Sequence, residues 1–300
     1  MPRPHRTGRA VALDGIILLD KPEGLSSNSA LQKVRRALGA AKAGHAGTLD
    51  PLATGMLPVL LGEATKLAGH LLHGDKAYSV GCRLGQSTTT YDAEGEVVEA
   101  LPVPALDAAA VGAALVPFTG RIRQRPPVYS AIKRGGQPLY RLARRGEAVE
   151  VPEREVEIHA VRVLAVAGDR VDLEVECGSG TYIRSLVHDL GRALGCGAHV
   201  VRLRRLWVEP FRAHPLVTLD EVEAGRAAPL PLEVAVKDWP WAHLDPGQVA
   251  LVRQGRVIQA AVHPGRGDTV AGLDGEGRLV ALLQVGQGGM LQPKRVINPA

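Results

Sequence analysis

Gly44-His45-Ala46-Gly47-Thr48-Leu49-Asp50-Pro51-Leu52-Ala53-Thr54-Gly55-Met56-Leu57-Pro58 is the stretch on which the reading of this chain turns. Its three glycines, Gly44, Gly47 and Gly55, can take backbone angles that other residues resist. Pro51 pushes Asp50 out of the helical region toward an extended conformation. The spacing therefore predicts an ordered loop, with no helix through Asp50, that sets one carboxylate beside the imidazole of His45. Loops on rigid scaffolds often carry chemistry. A turn-rich connection whose aspartate merely caps is the plainer alternative, and composition alone leaves both open.

Outward from that loop, the totals narrow the class. Three hundred residues predict one large domain and a small one. A hydrophobic content of 45% suits a globular chain with a real core. No run approaches the ~18 apolar residues of a membrane span, so no membrane partner is expected. Residues 1–12 read as a basic tail, and Asp14 interrupts the apolar segment after it, which argues against a signal peptide. Cys82, Cys177 and Cys196 are far apart and lack CxxC spacing. That pattern speaks against a disulfide framework or a zinc site and fits the cytoplasm. His70 and His73 lie three apart with no third ligand in view, so no metal is expected.

A net charge of +5 and a pI near 9.3 favour a polyanionic partner. The distribution is sharper than the total. Arg121, Arg123, Arg125, Lys133, Arg134, Arg141, Arg144 and Arg145 follow one another without an intervening Asp or Glu. Such a run predicts a phosphate-binding surface more than a solvated basic face. Arg202, Arg204 and Arg205 form a second group near Trp207.

Periodicity places the elements. Gly15 to Leu19 reads as a buried strand, and Ser26 or Ser27 caps a helix running to Gly39. A strand is predicted over Met56 to Leu61, then a helix from Ala64 to Leu72. Tyr78, Val80, Cys82 and Leu84 alternate as in a half-buried strand. Helices follow over Ala105 to Val116 and Leu139 to Arg145. Val156 to Ala167 and Val171 to Cys177 form a hairpin through Gly168-Asp169. Ile183, Val187, Leu190 and Leu194 give the next helix one apolar face. Its opening, Gly178-Ser179-Gly180-Thr181, is too short for a nucleotide loop. Arg184 in the first turn opposes the helix dipole and predicts an anion supplied from elsewhere in the fold. His199 to Trp207 reads as a strand with a basic face. After Pro231 to Pro240 the chain becomes Gly- and Val-rich, with strands at Thr269 to Leu273 and Arg278 to Leu283.

The opening stretch resembles the catalytic motif of the tRNA pseudouridine-55 synthases, the TruB family. Further resemblances lie in Asp20-Lys21-Pro22-Glu23-Gly24-Leu25-Ser26-Ser27 and in Arg83-Leu84-Gly85-Gln86 with Thr88, Thr90, Asp92 and Gly95. Others are Gln124-Arg125-Pro126-Pro127-Val128-Tyr129-Ser130-Ala131-Ile132-Lys133, Gly180-Thr181-Tyr182-Ile183-Arg184 and Gly197-Ala198-His199-Val200-Val201-Arg202-Leu203-Arg204-Arg205-Leu206. Together they cover roughly residues 13 to 210. Gly178 departs from the serine that the family carries there.

The resemblance implies an α+β fold: a mixed, mainly antiparallel sheet flanked by helices, with a small β-rich PUA-like domain. It implies a catalytic domain over 13–235, an RNA-binding insertion over 121–150 and the PUA-like domain over 240–300. The implied reaction turns uridine 55 of the tRNA T-arm into pseudouridine, without cofactor or protein partner; no helix looks like a dimer seam, so a monomer is expected. Asp50 is the implied catalytic carboxylate, and Arg184 its partner. Read without the resemblance, Arg184 equally suits a phosphate or a helix cap. Tyr78 stacks on the extruded base, or is a core tyrosine. Tyr182 and Leu203 line the pocket, and His45 takes the place the base vacates, stacks on the base, or is a structural hydrogen-bond partner. A non-catalytic RNA-binding protein, a guide-RNA-dependent synthase and a hydrolase using Asp50 and His45 are the rival readings.

Overall fold

The computed structural model describes residues 12–129, 133–134, 137–138 and 151–298. They fall into two compact units. The first takes in the chain up to Asp50, Met56–Leu72 and the chain from Pro210; the second takes in Pro51–Gly55 and His73–Glu209.

Strand β1 (Gly15–Lys21) is buried at every residue but Asp20, as an apolar run with no polar alternation requires. Ser26 caps the Ser27–Ala37 helix by accepting the Ser29 N–H at 3.1 Å. Gly39, at φ +63°, ends that helix in the left-handed conformation glycine favours. Strand β2 (Ala43–His45) then pairs antiparallel with β3 (Thr54–Leu61), matching His45 with Val59. Between them, residues 46–53 form neither helix nor strand, as Pro51 demands.

The helix expected over Ala64 to Leu72 is instead a 3-10 turn, Gly62–Leu67, followed by one α-turn, Ala68–Leu71. Gly62 sits at φ +54°, and Asp14 Oδ1 accepts the Glu63 N–H at 2.7 Å. The 3-10 form is the tighter helix type used in short pieces.

In the second unit, β4 (Lys76–Leu84) continues toward a short hairpin of β5 (Gln86–Thr88) and β6 (Val97–Ala100). Asp107 caps the next helix, Ala108–Leu115, by accepting the Ala110 N–H, so it starts later than the alanine run suggests. Next come β7 (Gly120–Gln124) and a two-residue pair, β8 (Lys133–Arg134) with β9 (Gln137–Pro138). The helix expected over Leu139 to Arg145 lies outside the described residues. Strands β10 (Arg154–Ala167) and β11 (Arg170–Cys177) form the expected hairpin, with Gly168 at φ +61°. The helix Ile183–Ala193 packs against β12 (Ala198–Val208). Gly191 permits that contact, since a Cβ there would lie 2.1 Å from the Ala198 nitrogen.

Strand β4 pairs antiparallel with β11 on one side and β12 on the other. Strand β12 also pairs parallel with Thr54 and Gly55, the first residues of β3. Back in the first unit, β13 (Val217–Thr218) runs parallel to β1. A capping box between Thr218 and Glu221 opens the short helix after it. Beyond Pro240, β14 (Trp241–His243), β15 (Thr269–Leu273), β16 (Leu279–Val285) and β17 (Leu291–Val296) form a separate four-stranded sheet in that order. Ala242, Val252, Ile258, Val270, Leu283 and Leu291 fill its core. Strand pairs of both directions, mostly antiparallel, with flanking helices make this the α+β architecture that the resemblance implied.

Candidate active site

The loop carrying Asp50 is braced from the Ser27–Ala37 helix. Ser27, fully buried, donates through Oγ to the Leu49 carbonyl at 2.9 Å and accepts the Leu49 N–H at 2.7 Å. Both backbone groups of the residue before Asp50 are thus held by one hydroxyl. Ala46 N–H donates to the Pro58 carbonyl at 3.0 Å, and Gly47 takes φ +92°. Asp50 and His45 are half-buried. The sequence marks Ser27 only as a candidate helix cap. Ser26 takes that role, leaving the Ser27 hydroxyl for a partner 22 residues away.

In the second unit, Gly55, Arg205 and Tyr78 lie in one row across β3, β12 and β4. A Cβ on Gly55 would stand 2.1 Å from the Arg205 carbonyl oxygen, and its φ is +95°. Only glycine allows that approach. Two residues along, Val80 pairs with Leu203, so Tyr78 and Leu203 share one face of the sheet, and both are buried. Arg205 is only 1% exposed and so lies inside the fold, while Arg202 of the same basic group is exposed and pairs with Asp172 at 2.8 Å. Close by, Lys76 is buried; burial first, and Arg205 second, pull its pKa down to about 8.

Arg184, second residue of the Ile183–Ala193 helix, is 4% exposed. The anion its position called for includes Asp92, 2% exposed, at 3.2 Å from Nη1. Nη1 also donates to the Thr90 carbonyl at 3.0 Å and Nη2 to the Tyr129 carbonyl at 2.9 Å. Asp92 in turn accepts the Glu94 N–H at 3.0 Å and the Thr90 hydroxyl at 2.5 Å. The guanidinium fork is thereby oriented by acceptors from two separate segments. Between Thr90 and Asp92, Tyr91 is at φ +63°, and among the described residues no other non-glycine has a positive φ. Its ring stacks on His188 at 3.9 Å. The quoted motif includes Asp92, but the sequence assigns it no role; a polar residue in a Gly-flanked turn reads as turn chemistry.

Tyr182 is the N-cap residue of the same helix and is half-buried. The basic run is less bare than it reads. Arg121 and Arg123 on β7 lie opposite Glu157 and Glu155 on β10, and Arg125 pairs with Glu153 at 3.3 Å. Side chains from Lys133 to Arg145 lie outside the described residues. His70 packs its ring against Trp239, 5.0 Å between centroids. Among the described residues no helix is long and apolar enough to cross a membrane.

Residues 35–183 match the model of the TruB family pseudouridylate synthase (N terminal domain), and residues 184–235 match that of the tRNA pseudouridylate synthase B C-terminal domain. The chain is 51% identical to tRNA pseudouridine synthase B of Xanthomonas campestris pv. campestris (strain B100), over 99% of this chain and 97% of that protein. It is 52% identical to the protein of the same name from Xylella fastidiosa (strain Temecula1 / ATCC 700964), over 95% and 96% respectively. Among solved structures, a chain in the crystal structure of a Cbf5-Nop10-Gar1 complex is similar at TM-score 0.73 and 30% identity, covering 95% of this chain and 85% of its own.

Proposed function

The chain belongs to the TruB family of tRNA pseudouridine synthases, and from that premise we propose that it isomerises uridine 55 in the T-arm of tRNA, with Asp50 as the catalytic carboxylate. The bond from ribose C1′ to base N1 breaks, the base turns, and C5 bonds to C1′. No atoms or electrons are gained or lost, so the reaction calls for no cofactor. Extruding the target base costs a few kcal/mol, ~2 to 4, which binding contacts must offset. Tyr78 stacks on the extruded base, Leu203 and Tyr182 line its pocket, and His45 takes the space the base leaves. Arg184 holds Asp50 ionised, its fork oriented by Asp92. Asp50 acts as nucleophile or as general base, both within reach of a carboxylate.

The observation that carries this reading is the row Gly55–Arg205–Tyr78. It pairs the first residues of β3 with β12, and β12 with the strand that bears Tyr78. In this reading residues 13–235 are the catalytic domain, 121–150 the RNA-binding insertion and 240–300 the PUA-like domain. The enzyme works in the cytoplasm as a monomer, without a protein partner.

Incubating the purified protein with unmodified tRNA transcript and mapping pseudouridine tests the proposal. Conversion at position 55 by the single component is expected, which also separates it from a guide-RNA-dependent enzyme. Asp50→Asn should abolish turnover while tRNA still binds. Retained turnover in that variant removes the carboxylate from the mechanism.

A further inference from the structure

We propose that Gln124 and Arg154 are positioning residues that hold Tyr182, the backbone by one and the ring by the other. The inference rests on the reading of Tyr182 as a pocket residue. Gln124 ends β7 and Arg154 begins β10, and the two are directly paired across the strands. Cross-strand partners present their side chains on one face. Both reach the same residue.

Gln124 is 1% exposed. Its Oε1 accepts the Tyr182 N–H at 2.7 Å and its Nε2 donates to the Tyr182 carbonyl at 3.0 Å. The side-chain amide thus satisfies both backbone groups of one residue, as a neighbouring strand would. Tyr182 has no side-chain cap of its own, and its carbonyl also accepts the Leu186 N–H at 3.1 Å, the first bond of the helix. The clamp therefore sets the angle at which the helix bearing Arg184 begins. Ser185 adds a tie to the same strand end by donating to the Arg125 carbonyl at 2.8 Å.

Arg154 treats the ring. Its guanidinium carbon lies 4.7 Å from the Tyr182 ring centroid, and its Nη2 donates to the Gly180 carbonyl. A cation seated on an aromatic face is held by the ring quadrupole. That contact favours the observed orientation of the phenol. A ring so restrained presents a fixed wall to a substrate base, and that preorganisation is required in the chemical step more than in docking of the RNA backbone.

Arg154→Met keeps the stem and removes the cation, and Arg154→Lys restores the charge without the plane. Gln124→Glu keeps the acceptor for the Tyr182 N–H and loses the donor to its carbonyl. Single-turnover pseudouridine formation should fall ~10- to 100-fold in Arg154→Met and Gln124→Glu, with a smaller loss in Arg154→Lys. The Kd for tRNA and its salt slope should not change. Unaltered rates, or a weaker Kd with a shallower salt slope, would overturn the inference, the latter by making Arg154 a phosphate contact. Fluorotyrosine labelling supplies a readout independent of turnover. The fluorine resonance of Tyr182, assigned by its absence in Tyr182→Phe, should move in Arg154→Met and in Gln124→Glu. A resonance unmoved in both sinks the clamp. If the wild type converts no uridine, the functional reading fails while this resonance still decides the clamp.

Discussion

Asp92 and Arg184 form an ion pair almost wholly withdrawn from water. Removing one charge of such a pair takes from the other a partner it was desolvated to meet, which costs more than the pair is worth. Asp92→Asn should therefore lower unfolding stability in urea by ~3 kcal/mol and reduce turnover, because the fork loses its fixed orientation. A variant as stable as the parent would show that the other acceptors of Arg184 hold its charge without Asp92. Lys76 makes a prediction about pH. Its pKa falls from 10.5 to about 8, so above pH 8 the folded chain sheds this proton before the unfolded chain does. Stability must then rise with pH. Above pH 9 the thiols oppose it. Burial pushes Cys82 up to about 12 and Cys177 up to about 11 from 9.0, so the unfolded thiols ionise first. The rise should be confined to pH 8–9 and absent in Lys76→Met, which denaturation at both pH values would check. At this scale the sequence marked Arg184 as a cation that needs an anion from elsewhere in the fold, and Asp92 is one. It left Asp92 unassigned, because a turn aspartate looks the same whether its partner is its own backbone or a helix 92 residues away.

The elements were legible where neighbours in sequence decide them. Strand alternation, the Gly168 hairpin and the apolar stripe through Ile183, Val187 and Leu190 all involve residues a few positions apart. Where an element's end is set from elsewhere, the periodicity misled. The stretch after β3 is a 3-10 turn whose entry is held by Asp14, 49 residues earlier. The same logic governs the loop of Asp50, whose brace comes from the Ser27–Ala37 helix. Ser27→Ala leaves both Leu49 backbone groups without that partner in a buried place. The expected loss is ~1–3 kcal/mol, read by thermal or urea unfolding, with a larger proportional loss of turnover than of stability. Turnover that tracks only the folded fraction would reduce Ser27 to a packing residue.

Across the whole molecule, charge is the property the sequence reports most directly and localises least. The excess of +5 favours a polyanion. The eight cations of the Arg121 to Arg145 run looked uncompensated, yet pairing of β7 with β10 brings Glu155 and Glu157 opposite two of them, and Glu153 meets a third. Affinity for tRNA should fall steeply with added salt. Arg125→Gln should lower the slope of log K against log salt by less than the ~1 of a full phosphate contact, since this arginine already has a carboxylate. A drop of one or more, measured by filter binding over a salt series, would show that RNA displaces Glu153.

By itself the sequence determined the loop that cannot be helix, the strands and helices of local period, and the motif set that identifies the family. These depend on backbone sterics and on contacts within a few residues. Only the tertiary structure decided which side chains answer one another: Ser27 with Leu49, Arg184 with Asp92, Gln124 with Tyr182. Those pairs stand 22, 92 and 58 residues apart. A buried polar group must find a partner at hydrogen-bond distance, and which partner lies there is set by how the elements pack.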